Sequence, residues 1–428
     1  MPVLLAVLFT ALAAAGELHI KPDGAALQTA IAQAKPGDHV ILAAGIYHGN
    51  FRIDKPLTLQ GEPGAVLDGD GHGDVLRVRA PDVVLKGLVI RDSGNNLTDM
   101  NAGVFVEKSA ARLRVEDNEL ARNAFGIWLD ATPDVRIYRN RVHGRVGVRS
   151  QDRGNGIHLF NVGGADVVGN EVWEVRDGIY IGVSNYNTLR GNSLHDLRYG
   201  IHYMFSNHNK IIGNRTRATR TGYALMQSKY LTVTGNRSEH DENYGILMNY
   251  ITNSTIADNV VLDVQRGAAT GGIDSHSIAG TEGKAVFIYN SLFNKIYGNV
   301  FEGSEIGIHL TAGSEDNAIY GNSFINNHTQ VKYVASRPQE WSKDKRGNYW
   351  SDYVGWDLNA DGIGDRIYEP NDAVDKLLWK YPLARMLMNS PAVETLRWVQ
   401  VQFPVLRPQG VKDSFPLMKA PVTAGDHA

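Results

Sequence analysis

The stretch Gly200–Asn214, GIHYMFSNHNKIIGN, decides the fold, because its spelling recurs along the chain at a nearly fixed interval. It opens on a glycine followed by an apolar residue and closes on Gly213-Asn214. The closing pair belongs to the series Asp117-Asn118, Arg139-Asn140, Gly169-Asn170, Gly191-Asn192, Gly213-Asn214, Gly235-Asn236, Asp258-Asn259, Gly298-Asn299 and Gly321-Asn322, with steps of 22, 30, 22, 22, 22, 23, 40 and 23. The opening pair keeps the same phase at Gly126, Gly156, Gly178, Gly200, Gly222, Gly245 and Gly307. Two markers in one phase define a repeat. A period near 22 with several short strands per turn is the mark of a parallel β-helix, whose coils stack at about 4.8 Å. A leucine-rich repeat has a comparable period but needs Leu and Asn in a different frame. The expected fold is all-β: a right-handed parallel β-helix with an N-terminal helical cap and an irregular, partly helical C-terminal extension. Corner asparagines can bond from coil to coil as a ladder and tolerate the left-handed backbone of a sharp turn.

Toward the N-terminus, Asp23 caps a short helix whose Leu27, Ala30, Ile31 and Ala34 follow helical spacing and which Pro36-Gly37 ends. Such a helix closes the hydrophobic end of a solenoid. Residues 1–16 read as an export leader, with an apolar run ending in Ala13-Ala14-Ala15. Residues 17–335 form the β-helix, 336–389 a C-terminal cap with an Asp-rich loop, and 390–428 a helix and extended, partner-docking tail. The two long steps place insertions within Arg145–Gly154 and Asp263–Lys284. In the cap, Trp341, Tyr349, Trp350, Tyr353, Trp356 and Tyr368 form an aromatic seal. Beyond it, Ser390-Pro391 starts a helix with Val393, Leu396, Val399 and Phe403 on one stripe. This helix and its tail dock on another protein or on a membrane surface, or fold back on the coil. The 428 residues include 45 glycines, which suits a fold of many tight turns, and no cysteine, which removes disulfides and thiolates. A net charge of -3 argues against a nucleic-acid partner.

In the marker strand the residues one and three after glycine point inward, and those two and four after it point outward. The outward pairs are Trp128 and Asp130, His158 and Phe160, Tyr180 and Gly182, His202 and Met204, Ala224 and Met226, Leu247 and Asn249, and His309 and Thr311. The phase makes Met248 inward. His202 and Met204 share a strand, and Met226 lies one coil above Met204. Imidazole and thioether could therefore converge on one soft ion, and thioethers favour Cu(I). His158 and, from the large insertion, Asp274 or His276 could add ligands. The competing reading is a semi-apolar groove in which Met and His only pack. The run Asp357, Asn359, Asp361, Gly362, Asp365 spaces oxygens like the first part of a Ca²⁺ loop but lacks the closing glutamate, and an Asx-turn knot explains it equally. The enzymatic alternative is a polysaccharide lyase, epimerase or hydrolase, or else a carbohydrate-binding module. Only Asp130 is acidic on the outward rows, and a cluster of Asp152, Arg153 and His158 is the place where such chemistry would sit.

The opening PGDHVILAAGIYHGN (Pro36–Asn50), the Gly-Ile repeats and GNYWSDYVGWDLNADGIGD (Gly347–Asp365) together resemble the NosD family of nitrous-oxide reductase maturation proteins over nearly all of Gly16–Leu387. The resemblance implies a non-catalytic periplasmic protein that assists assembly of the reductase's copper-sulfur centre. It implies as partners an ABC transporter of ATPase and membrane permease, a copper-donor lipoprotein that supplies transient Cu(I), and the apo-reductase that receives it. Association with the inner membrane would run through the permease, on which Leu377–Phe403 would dock. With the resemblance, copper becomes the favoured reading of His202, Met204 and Met226.

Overall fold

The computed structural model describes residues 15–265, 283–335, 337–381, 390–403, 410–421 and 424. Asp274, His276 and nearly all of the expected leader lie outside them. The coil containing the opening stretch has three short strands, Tyr199–Met204, Lys210–Ile212 and Arg215–Arg217. Strands at equivalent places pair in parallel from coil to coil, giving three sheets of 13, 12 and 13 strands among the described residues. The 12-stranded sheet carries the marker strands. Their register, Ile179 to Ile201 to Tyr223, puts one apolar residue of each coil directly over the last. Ile201 and Tyr203 are fully buried, and burying a side chain of this size contributes about 1.5–3 kcal/mol. Met248 aligns with Leu225 and is buried, as its phase required.

The corner before each ladder asparagine is left-handed. Gly213 has φ +61°, and Asp117, Arg139 and Asp258 hold the same conformation at 58°, 52° and 55°. This costs a residue with a Cβ about 1–2 kcal/mol, which is why glycine prevails there. Behind the corner, the Asn192 amide donates to Asn214 Oδ1 at 2.8 Å, and that of Asn214 donates to Asn236 Oδ1 at 3.0 Å. Each Oδ1 also accepts a buried backbone N–H, so the ladder satisfies main-chain groups at a turn that no strand pairing reaches. Gly200 is needed for a different reason: a Cβ there would stand 2.5 Å from Thr216 and 2.7 Å from the Gly222 carbonyl oxygen. The coil at Lys284–Tyr289 has Ala285 in that place, which hides it from the repeat.

Asp23 caps the helix Gly24–Gln33, accepting from the N–H groups of Ala25 and Ala26, and Leu27, Ala30 and Ile31 cover the first coils. At the other end the ladder runs further than the repeat suggested. Asn322 donates to Asn348 Oδ1 at 2.8 Å, and the Asn348 N–H donates to Asp413 Oδ2 at 2.7 Å. Asp413 comes from the tail, where Val411–Lys412 pairs with Gln339–Glu340. This part of the tail therefore folds back on the coil and supplies the last rung. Phe324, Trp350 and Tyr368 stack at 4.3 and 4.6 Å, with Trp341 6.2 Å from Trp350. Trp356 is 52% exposed and stands outside this seal.

The last helix, Pro391–Gln402, starts as expected on Ser390, but its buried face differs from the apolar stripe. Val393 and Gln400 are buried, while Leu396 and Phe403 are half exposed. Polar contacts set this rotation: Gln400 Oε1 accepts from the Ala373 N–H at 2.9 Å, and Arg397 pairs with Asp372 at 3.2 Å. Among the described residues no helix is long and apolar enough to cross a membrane.

Candidate metal site

The outward side of the 12-stranded sheet carries two rows in register. In the first stand Phe105, Trp128, His158, Tyr180, His202, Ala224, Leu247, Phe287 and His309. Phe287 stands in the coil where Ala285 takes the place of the marker glycine, and Phe105 follows Gly103, which the register places opposite Gly126. Ring centroids are 3.9 Å apart for Trp128–His158, 4.5 Å for His158–Tyr180 and 4.8 Å for Tyr180–His202. The row is not an open groove, since Trp128, His158 and His202 are all buried and Leu97 and Met100 pack over Phe105 and Trp128. The second row, two residues further along each strand, includes Gly182, Met204, Met226 and Asn249.

His202 is held from one side and bare on the other. Its Nδ1 lies 3.0 Å from Asp177 Oδ2. Arg198 donates to both oxygens of the same carboxylate at 2.8 and 2.6 Å and lies over the Tyr199 ring. Burial pushes the Asp177 carboxyl up, but the hydrogen bonds from His202 and Arg198 outweigh it and hold the carboxyl below its ordinary value. An ionised carboxylate only accepts, so Nδ1 carries a proton, and in the neutral ring the lone pair is then on Nε2. That Nε2 is buried without a hydrogen-bond partner. Leaving such a group unsatisfied costs about 1–3 kcal/mol, and a carboxylate behind the ring is the arrangement that orients a metal-ligating histidine. Ala224, the smallest side chain of its row, follows His202 on the coil that also presents Met226.

Met204 and Met226 are register partners and half-buried. Adjacent coils and alternate residues put the two thioethers and the imidazole at positions separated by about 4.8 and 6.6 Å of backbone, within reach of one ion for side chains this long. His158 stands beyond the Tyr180 ring from His202. Its Nδ1 accepts from the Asn155 amide at 3.0 Å, and burial, with the nearby Arg176 cation, pushes its pKa down to about 3. His276 lies outside the described residues. The reasoning from sequence missed Asp177 and Arg198. A signal was present, because the position before the marker glycine is Phe125, Asn155, Asp177, Tyr199, Thr221, Tyr244 and Ile306 in turn, and the one acid there needs a partner.

The other candidates are arranged differently. In the Asp-rich loop, Asp357 accepts from the N–H groups of Asp361 and Gly362 and Asp365 from Leu358, while Asn359 accepts from Asp361 and Asp361 from Ile363 as Asx turns. Asp152 pairs with Arg149, and Arg153 donates to the Val148 and Glu174 carbonyls, so neither joins His158. Among the described residues, His48, Asp68 and Asp70 gather three possible ligand atoms within 4.8 Å. There Arg91 and the Asp70 N–H already occupy the Asp68 oxygens.

Comparison with known proteins places the chain in a family. The NosD family model, described as "Periplasmic copper-binding protein", matches residues 139–355, the coils that hold His202, Met204 and Met226. Proteins of Stutzerimonas stutzeri and Pseudomonas aeruginosa, each named "Probable ABC transporter binding protein NosD", are 58% identical over 380 residues. The matches span 89% of this chain and 86% and 88% of theirs. These relatives are named as binding proteins rather than enzymes, in keeping with the expected non-catalytic role. A DFA-IIIase from Arthrobacter chlorophenolicus A6 superposes with a TM-score of 0.55 at 14% identity, covering 78% of this chain and 99% of that chain. At that identity it shows the β-helix alone. With the relatives matching along most of their length, the chain belongs to the NosD family.

Proposed function

We propose that this protein is a periplasmic carrier that takes Cu(I) from a donor lipoprotein at His202, Met204 and Met226 and presents it to apo nitrous-oxide reductase. The observation that carries this reading is the buried, partnerless Nε2 of His202, backed by Asp177 and two residues along its strand from Met204, which is in register with Met226 on the next coil. Thioether and neutral imidazole are soft and borderline donors, which suits Cu(I) better than a hard cation. The test is a competition titration of Cu(I) against a chelator with wild type, His202→Ala and Met204→Ala/Met226→Ala. Both variants are expected to lose affinity.

The relatives' name joins them to an ABC transporter, and in this reading the carrier acts beside the permease and its ATPase at the inner membrane. Leu377, Leu396, Trp398 and Phe403 are 47–60% exposed at the C-terminal end, which supports docking there. Deleting the tail would also remove Asp413 from the ladder, so point changes are the cleaner probe. Leu396→Ser/Trp398→Ser should abolish co-purification with the transporter while leaving thermal unfolding within about 0.5 kcal/mol of wild type. Undiminished co-purification would rule out this docking.

A further inference from the structure

Where the last coil meets the C-terminal cap, a cavity of about 380 Å³ lies between the strand Thr329–Val334, the aromatic seal and the helix Ala373–Lys380. Pockets that hold small ligands span roughly 300–1,000 Å³. Its hydrogen-bond donors are already spent within the protein. Asn371 gives its amide N–H to the Val331 carbonyl at 2.8 Å, and Gln330 gives its own to the Ser351 hydroxyl at 2.8 Å. The Tyr368 hydroxyl faces both Asp352 oxygens, at 2.9 and 3.1 Å. A carbonyl only accepts, so the Asn371 amide has one orientation and Oδ1 is its free end. Asn371 is 6% exposed, and this Oδ1 is buried with no hydrogen-bond partner. A buried acceptor left so is a standing cost that a donor in the cavity would remove.

Acceptors and negative charge are what remain. Among the described residues no lysine or arginine lines the cavity. Asp352 stands exposed at its mouth and has the Tyr368 hydroxyl, but no cation, against it. Asp375, in the first turn of the helix, accepts from the Asp372 N–H at 3.0 Å, while Arg397 approaches it only to 3.8 Å. Burial pushes the Asp375 carboxyl above its ordinary value. Such walls call for a cation that brings several donors and no acceptor, which describes an ammonium or a guanidinium. Trp379 supplies an aromatic surface on which such a cation can rest, and Val331 and Pro370 an apolar wall for its stem. A single metal ion suits these walls poorly, since His328, Asp352 and Asp375 do not bring three ligand atoms within 4.8 Å of one another.

We propose that this cavity binds an alkylammonium or guanidinium group on a short chain, with Asn371 Oδ1 and the Asp352 carboxylate as its acceptors. The site is separate from the copper reading and does not rest on it. The test is a calorimetric titration of the full chain with 1,4-diaminobutane, with n-butylguanidinium and with 1,4-butanediol as the neutral match. Wild type should take up one of either cation per chain and no diol. Asp352→Asn keeps an acceptor for Tyr368 and removes the charge, and Asn371→Leu removes the buried acceptor. Each should weaken both cations about ten-fold or more, the scale of a lost hydrogen bond to a charged group. Asp357→Asn, in the neighbouring Asp-rich loop, should leave both affinities unchanged, which separates the site from general acidity. Free amines and the side chains of another protein carry the same group, and Nα-acetyl-lysine methylamide tells them apart. Binding as tight as that of diaminobutane assigns the cavity to a side chain, and no binding of this blocked lysine assigns it to free amines. Failure of wild type to bind either cation, equal binding of the diol, or undiminished binding by Asp352→Asn would overturn the proposal.

Discussion

A histidine binds metal through one nitrogen and is aimed by the hydrogen bond at the other. At His202 the second bond goes to Asp177, which is fully buried and also takes both donors of Arg198. Asp177→Asn would leave Arg198 without its anion and offer Nδ1 a group that can donate as well as accept, so the ring is free to swap tautomer. The expected result is a 10–100-fold fall in Cu(I) affinity, with nitrogen chemical shifts of His202 showing both tautomers. Unchanged affinity would reduce Asp177 to a structural partner. His202, Met204 and Met226 were legible because residues two and four after a marker glycine have a fixed side of the sheet. Asp177 carried a fainter signal, one acid in the position before the glycine, and it was overlooked because that position lies outside the two outward rows, with Gly178 and Gly200 unpaired between Asp177–Tyr199 and Ile179–Ile201.

At the scale of elements, the corner ladder was readable as Gly-Asn, Asp-Asn and Arg-Asn pairs because one conformation, left-handed before the asparagine, underlies all three spellings. The end of the ladder was not readable. Its final acceptor is a carboxylate 65 residues beyond Asn348, brought there by tertiary folding that no local period records. That carboxylate is costly. Burial pushes Asp413 from its ordinary 3.8 up to about 6 despite hydrogen bonds from Asn348 and Trp350, and burial does the same to Asp241 inside the coil, where Ser238, Thr216 and Thr219 surround it. Each carboxyl holds its proton more tightly folded than unfolded. The stability this contributes is whole below about pH 4 and lost as pH rises past about 6. Wild type should therefore lose on the order of 1 kcal/mol per group between about pH 5 and 7.5, relative to Asp241→Asn/Asp413→Asn. Chemical denaturation of both proteins across that range checks it, and parallel pH profiles would show that these carboxyls are ionised at no cost. The last helix also escaped the sequence, because Gln400 and Arg397 fix its rotation through contacts with the preceding helix rather than through its own apolar stripe.

For the molecule as a whole, the repeat makes every coil alike in its interior and leaves the exterior free to differ. Inward positions repeat Ile, Val, Leu and Tyr from end to end, so the fold was legible from one stretch. The proposed copper site is built from departures from the repeat: an acid before one glycine, an alanine in an aromatic row and paired methionines. These departures fall in neighbouring coils, where a buried imidazole and two thioethers stand in adjacent rows. The central claim is that these coils hold Cu(I), and the chelator competition tests it most directly. The account predicts one Cu(I) per wild-type chain and at least a 100-fold loss of affinity in both His202→Ala and Met204→Ala/Met226→Ala, equivalent to about 2.7 kcal/mol. Equal affinity in all three proteins would contradict it.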